Sequence, residues 1–99
     1  MIPLARNALL VVALLLTSVG SAASDMDTKA AGKCVTLGAL NQNYKAKAMA
    51  ILDVASRTGY LALVNQRVKE EMDFLAANNS NESVKGDWIT LAIRACNSF

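Results

Sequence analysis

The sequence of 99 residues has no histidine, one proline and two cysteines, and these shortages exclude several classes of protein. Without histidine, one chain forms neither a Ser-His-Asp nor a Cys-His catalytic site. Zinc sites with a histidine ligand and the usual haem ligation are excluded for the same reason. We therefore expect no enzymatic activity, no cofactor and no metal site.

The sequence also has no segment in which charged residues of one sign are concentrated. The ten Lys and Arg residues and eight Asp and Glu residues are spread along the chain. A nucleic-acid-binding protein normally carries a basic stripe or patch. We therefore expect no nucleic-acid partner.

Residues 1–23 have the composition of a cleaved secretory signal peptide. Arg6 is the only charged side chain before Asp25, an apolar run covers residues 8–16, and small residues follow up to Ala23. This order of charged, apolar and small segments is typical of a signal peptide. We place the cleavage after Ala23, although cleavage after Ala22 fits equally well.

A membrane anchor is the alternative reading of this segment. A spanning helix needs about 20 apolar residues, and the run here is far shorter. We therefore expect residues 24–99 to form a single small domain, periplasmic or secreted, without stable membrane insertion. Arg6 is lost on cleavage, so nine Lys and Arg would remain against eight Asp and Glu, a net charge of +1.

Cys34 and Cys96 are too far apart in sequence for a Cys-x-x-Cys redox motif or a metal knuckle. In an exported chain, a lone pair of cysteines normally forms a disulfide. We expect the Cys34–Cys96 bridge; a reactive or intermolecular thiol is the alternative.

The composition and apolar spacing predict an all-α bundle of three to four helices closed by this disulfide. Three helices running up, down and up would separate the two cysteines by more than about 15 Å. A disulfide requires a Cα–Cα distance below about 7 Å. A break at residues 41–43 resolves the conflict. We prefer helices over residues 28–40, 43–57, 60–77 and 84–97, with Ser83 capping the last; the alternative keeps 29–57 as one helix.

Apolar residues occupy most of the circumference of the last helix, which predicts a central position in the bundle. Trp88, the only tryptophan, is expected in the core, with a binding hot spot as the alternative. Glu70, Glu71 and Asp73 are expected on a solvated face. The candidate interaction surface comprises four residues: Trp88, Ile89, Ile93 and Phe99.

These observations favour a non-enzymatic exported protein, of a bacterial periplasm, that binds another envelope or secreted protein. It would act as an inhibitor, an immunity factor or an accessory subunit. An exported helical chain joined by one disulfide is similar in plan to the small periplasmic acid-stress chaperones, although no motif carries the similarity. A stress chaperone that exposes apolar helix faces is thus one alternative. A bundle that binds a small ligand between its helices is another.

Overall fold

The computed structural model describes residues 25–99, which form an all-α bundle without strands in that range. The predicted signal peptide, residues 1–23, lies outside the described residues. No helix within residues 25–99 combines the length and apolar character needed to cross a membrane. The helices are α1 (Thr28–Leu40), α2 (Lys45–Thr58), α3 (Leu61–Ala77) and α4 (Glu82–Asn97).

The predicted break in the first helical region is confirmed. Asn41 ends α1 in an extended conformation, with φ −138° and ψ 116°, and its side-chain oxygen accepts a hydrogen bond from the backbone N–H of Asn43 at 2.9 Å. A short 3₁₀ turn, Gln42–Tyr44, then leads into α2. Asparagine bonds its own backbone in this way and so competes with a continuing helix. The alternative of one helix over 29–57 is therefore wrong.

The other connections use ordinary capping chemistry. Gly59 follows α2 with φ +83°, the left-handed conformation that glycine adopts without strain. Asp27 caps α1 by accepting a bond from Ala30 N–H, and Asn81 caps α4 by accepting one from Val84 N–H. The prediction that Ser83 caps the last helix is wrong, because Asn81 takes that role and the helix begins at Glu82.

The centre of the bundle is α1 and not the last helix, so that prediction is also wrong. Helix α1 packs against each of the other three, whereas α3 and α4 pack on α1 more than on each other. Four residues of α4 are buried, namely Trp88, Ala92, Ala95 and Cys96. In the shorter α1 seven are buried: Ala31, Gly32, Cys34, Val35, Thr36, Leu37 and Gly38.

Small side chains make this central position possible. A Cβ at Gly32 would collide with the Cβ of Arg67 on α3, and one at Gly38 would collide with the Cβ of Ala48 on α2. Glycine at both places allows the neighbouring helices to approach the α1 backbone directly. The Thr36 hydroxyl, fully buried, is satisfied by donating to the Gly32 carbonyl at 2.7 Å.

The disulfide closes the bundle as predicted. Cys34 in α1 and Cys96 in the last turn of α4 are bonded with their Cα atoms 4.8 Å apart, and both side chains are fully buried. The bridge spans a sequence separation of 62 residues. It therefore fixes the end of α4 to the middle of the central helix.

Candidate functional site

A polar contact joins three helices next to Trp88. The indole Nε1–H of Trp88 donates to Oε1 of Glu71 at 2.7 Å, and Nζ of Lys33 donates to Oε2 of Glu71 at 3.1 Å. The Trp88 side chain is buried, which confirms its predicted place in the core. One carboxylate thus links α1, α3 and α4 at a point where α3 and α4 pack little against each other.

The position of Glu71 was not predicted. The sequence pattern places it with Glu70 and Asp73 on a solvated face, but its side chain is only 16% exposed. Glu71 follows the buried Val64 by seven residues and precedes the half-buried Leu75 by four, so it shares their helix face. The neighbouring Met72, which the apolar spacing selects for that face, is instead 42% exposed.

Two surface depressions lie on either side of Trp88, and both reach the indole. The first, which we call the Ile89 groove, has a volume of about 340 Å³. Apolar side chains line most of it, and three of them are strongly exposed: Leu40 at 56%, Met72 at 42% and Ile89 at 45%. Its lining residues are Leu40, Met72, Leu75, Ala76, Asn79, Lys85, Trp88 and Ile89.

The second depression, which we call the Leu91 trough, runs along the other side of α4. One part, of about 510 Å³, lies between α3 and α4 and contains Glu70 and Asp87. The other, of about 380 Å³, lies between α1 and α4 and contains Lys29 and Arg94. The parts share Lys33 and Leu91. The complete lining is Lys29, Ala30, Lys33, Glu70, Glu71, Phe74, Val84, Asp87, Trp88, Leu91, Arg94, Ala95 and Ser98.

The four residues of the predicted interaction surface do not come together. Trp88 and Ile89 both line the Ile89 groove, Trp88 from its buried base and Ile89 from its exposed rim. Ile93 is half-buried and packs against the core. Phe99 is 42% exposed and lies in a separate depression with Met26 and Val54. The strongly exposed Leu40 and Met72 belong to the groove instead of Ile93 and Phe99.

Among the described residues, five ion pairs within or between helices join ten of the charged side chains. Asp73 holds the pKa of Lys69 above its ordinary value, first through a hydrogen bond at 2.9 Å and second through its charge. An amine nucleophile requires the opposite shift. Among residues 25–99, His, Cys, Asp and Glu form no cluster of three suited to a metal ion. The arrangement offers noncovalent contact surfaces: an apolar groove and a trough with charges of both signs.

Comparison with known proteins gives no relative. The chain matches no protein-family model, and no curated protein or solved structure matches it significantly.

Proposed function

We propose that this chain is a non-enzymatic exported protein that binds another envelope or secreted protein through the Ile89 groove. Its role would be that of an inhibitor, an immunity factor or an accessory subunit. The main support for this proposal is that Leu40, Met72 and Ile89 are exposed around one concave surface. A contiguous exposed apolar patch on a small protein is typical of an interaction site.

The arrangement of apolar and polar residues in the groove supports this proposal. A protein interface commonly has an apolar centre and a polar rim. Here Leu75 and Trp88 form the base, while Asn79 and Lys85 supply polar atoms at the edge. Burial of the indole and its bond to Glu71 fix the base in one conformation, so little side-chain entropy is lost there on binding.

The charge of the groove defines the partner further. Among the described residues that line it, Lys85 is the only ionisable one, and its Nζ lies 3.1 Å from Oε2 of Glu82, so its charge is compensated. A partner segment that inserts apolar side chains and places neutral polar groups beside this ion pair would fit.

The test is native mass spectrometry of tagged protein, isolated without reduction from its own envelope fraction. We expect a stoichiometric second protein with the wild type and its loss with Ile89→Asp. The matched control is Leu91→Asp, because Leu91 lies on the same helix, is 47% exposed and lines the other depression. Equal retention of the partner by both variants, or no associated protein with the wild type, would refute the proposal.

A second candidate, the acid-stress chaperone, is favoured by one observation. The contact of Lys33 and Trp88 with Glu71 depends on a carboxylate. Loss of the Glu71 charge would release the contact that joins α1, α3 and α4 and would uncover apolar side chains around Trp88. Suppression of client aggregation at low pH by the wild type, compared with Glu71→Gln at neutral pH, tests this function. Inactivity of both would eliminate it.

A further inference from the structure

The Leu91 trough is built on one stripe of α4. Val84, Asp87, Leu91 and Arg94 follow one another at spacings of three and four residues, so they share one face of the helix. Leu91 at the middle is 47% exposed. Among the described residues, neither Asp87 nor Arg94 forms an ion pair within this molecule, although both are exposed.

The charges of the trough are separated by sign about its middle. Glu70 and Asp87 lie in the part between α3 and α4, whereas Lys29 and Arg94 lie in the part between α1 and α4. Leu91 belongs to both parts. The surface therefore has an acidic half with Glu70 and Asp87, an apolar middle at Leu91, and a basic half with Lys29 and Arg94.

A surface with this charge pattern is complementary to the same surface of a second copy that is related to it by a two-fold axis. Asp87 lies about 6 Å along the helix axis from Leu91, and Arg94 lies about 4.5 Å in the other direction. In an antiparallel pair of α4 helices centred on Leu91, Asp87 of one copy and Arg94 of the other would be at nearly the same height. A two-fold axis at this point creates that contact twice, as an isologous interface requires.

We propose that the Leu91 trough is the interface of a homodimer, in which α4 packs antiparallel to α4 of a second copy. Leu91 meets Leu91 at the two-fold axis. Asp87 and Glu70 of each copy face Arg94 and Lys29 of the other. This interface uses the side of α4 opposite the Ile89 groove, so it is independent of the proposed partner site.

The short length of the stripe favours a weak dimer. From Val84 to Ser98 the trough covers about 21 Å of helix. A contact of one helix with its neighbours from α1 and α3 falls at the small end of specific interfaces, so we expect a dissociation constant in the range of about 10 to 100 µM. The experiment therefore covers concentrations on both sides of that range.

Sedimentation equilibrium of the oxidised protein is the test. We expect a monomer–dimer equilibrium for the wild type and a dissociation constant at least about tenfold higher for Asp87→Arg, which replaces two attractive pairs by two repulsive ones. The double variant Asp87→Arg/Arg94→Asp restores both pairs in exchanged order and should dimerise like the wild type. Far-UV circular dichroism verifies the fold of each variant.

The matched control is Asp53→Arg, since Asp53 is an exposed carboxylate on α2, outside the trough. It should dimerise like the wild type, as should Ile89→Asp. The proposal is overturned by a wild type that stays monomeric up to about 1 mM. It is equally overturned by an Asp87→Arg variant no weaker than Asp53→Arg, or by a double variant that does not recover.

Cross-linking locates the axis independently. A residue on a two-fold axis meets its own copy, so Leu91→Cys should form an intermolecular disulfide at least about tenfold faster than Ile89→Cys on the same helix. The two positions have similar exposure, 47% and 45%. Non-reducing mass spectrometry measures the rate and reports whether the Cys34–Cys96 bridge stays intact. Equal rates at the two positions would contradict the antiparallel α4 pairing.

Discussion

Helices α1 and α4 are joined by a disulfide but occupy opposite roles in the bundle. Helix α1 contacts every other helix, and seven of its 13 residues are buried. Helix α4 has 16 residues and buries four, leaving Ile89 and Leu91 nearly half exposed. The helix with the larger apolar side chains is thus the more peripheral one. Helices surround α1 because its side chains are small, and they leave α4 partly uncovered because its side chains are large.

The buried helix α1 therefore contributes mainly to stability, whereas the surfaces proposed for recognition lie on α4. At Gly32 and Gly38 the neighbouring helices lie so close to the backbone of α1 that an added Cβ would collide with them. Helix α4 instead contributes to the Ile89 groove on one side and to the Leu91 trough on the other. The four predictions below test the contrast between the two helices, in order of expected effect.

The largest effect is expected from removal of the bridge between the two helices. The Cys34→Ala/Cys96→Ala variant should lower the free energy of unfolding by about 4 kcal/mol, the chain-entropy value for a loop of this length. Urea denaturation measures this change. Hydrogen exchange should show a greater loss of protection in α4 than in α1, because α1 keeps its contacts with α2 and α3. A loss below about 1 kcal/mol would show that α4 docks without the bridge.

The second prediction concerns the packing around α1. Gly38→Ala should lower the free energy of unfolding by about 2 kcal/mol, because the added methyl group collides with Ala48 and lies 2.9 Å from the Tyr44 carbonyl oxygen. Thermal or urea unfolding measures it. The control is Gly86→Ala in α4, where the added Cβ meets nothing within 4 Å. The free energy of unfolding of that variant should rise by about 0.5–1 kcal/mol, because alanine has the higher helix propensity. Equal effects at the two glycines would contradict the difference between the helices.

The third prediction concerns the contact of Glu71 on α3 with Lys33 on α1 and Trp88 on α4. Glu71→Ala leaves the buried indole N–H of Trp88 without its acceptor and should lower the free energy of unfolding by about 1–2 kcal/mol. Glu70→Ala, one residue earlier and outside this contact, should change it by less than about 0.5 kcal/mol. Urea denaturation of both variants supplies the comparison. A Glu71 variant as stable as the Glu70 variant would show that the contact contributes nothing.

The smallest effect is expected at the start of α4. Asn81→Ala removes the cap on Val84 N–H and should lower the free energy of unfolding by about 1 kcal/mol or less. Because none of the residues 82–85 is fully buried, hydrogen exchange should increase mainly over this first turn of α4. Ser83→Ala is the control, since Ser83 lies inside the helix and is exposed. An equal effect of Ser83→Ala would mean that Asn81 is not the effective cap.

The course of the chain was predictable from the sequence. Weak helix formers at residues 41–43 and the reach of a disulfide together define the break between α1 and α2. Gly59 marks the connection between α2 and α3, and the three asparagines among residues 78–81 mark the connection between α3 and α4. These features are local, or depend on one distance limit, so no knowledge of packing is needed to interpret them.

The centre of the bundle and the candidate surfaces were less predictable, for a physical reason. An apolar pattern shows which residues can be buried, but not how closely a neighbouring helix approaches. Gly32 and Gly38 in α1 were the available signal for close approach. Glu71 shows the same limit, because a charged residue on an apolar face becomes buried when partners such as Lys33 and Trp88 are supplied by other helices.

Trp88 also gives the molecule its own optical reporter. As the only tryptophan in the sequence, it is the source of all indole fluorescence from the chain. Its ring lies between the two depressions and lines both, with Nε1 bonded to Glu71. A ligand in either depression changes the surroundings of the ring, and loss of the Glu71 bond changes the polarity at its nitrogen. Partner binding, dimer formation and opening of the bundle can therefore be followed through a single unlabelled fluorophore.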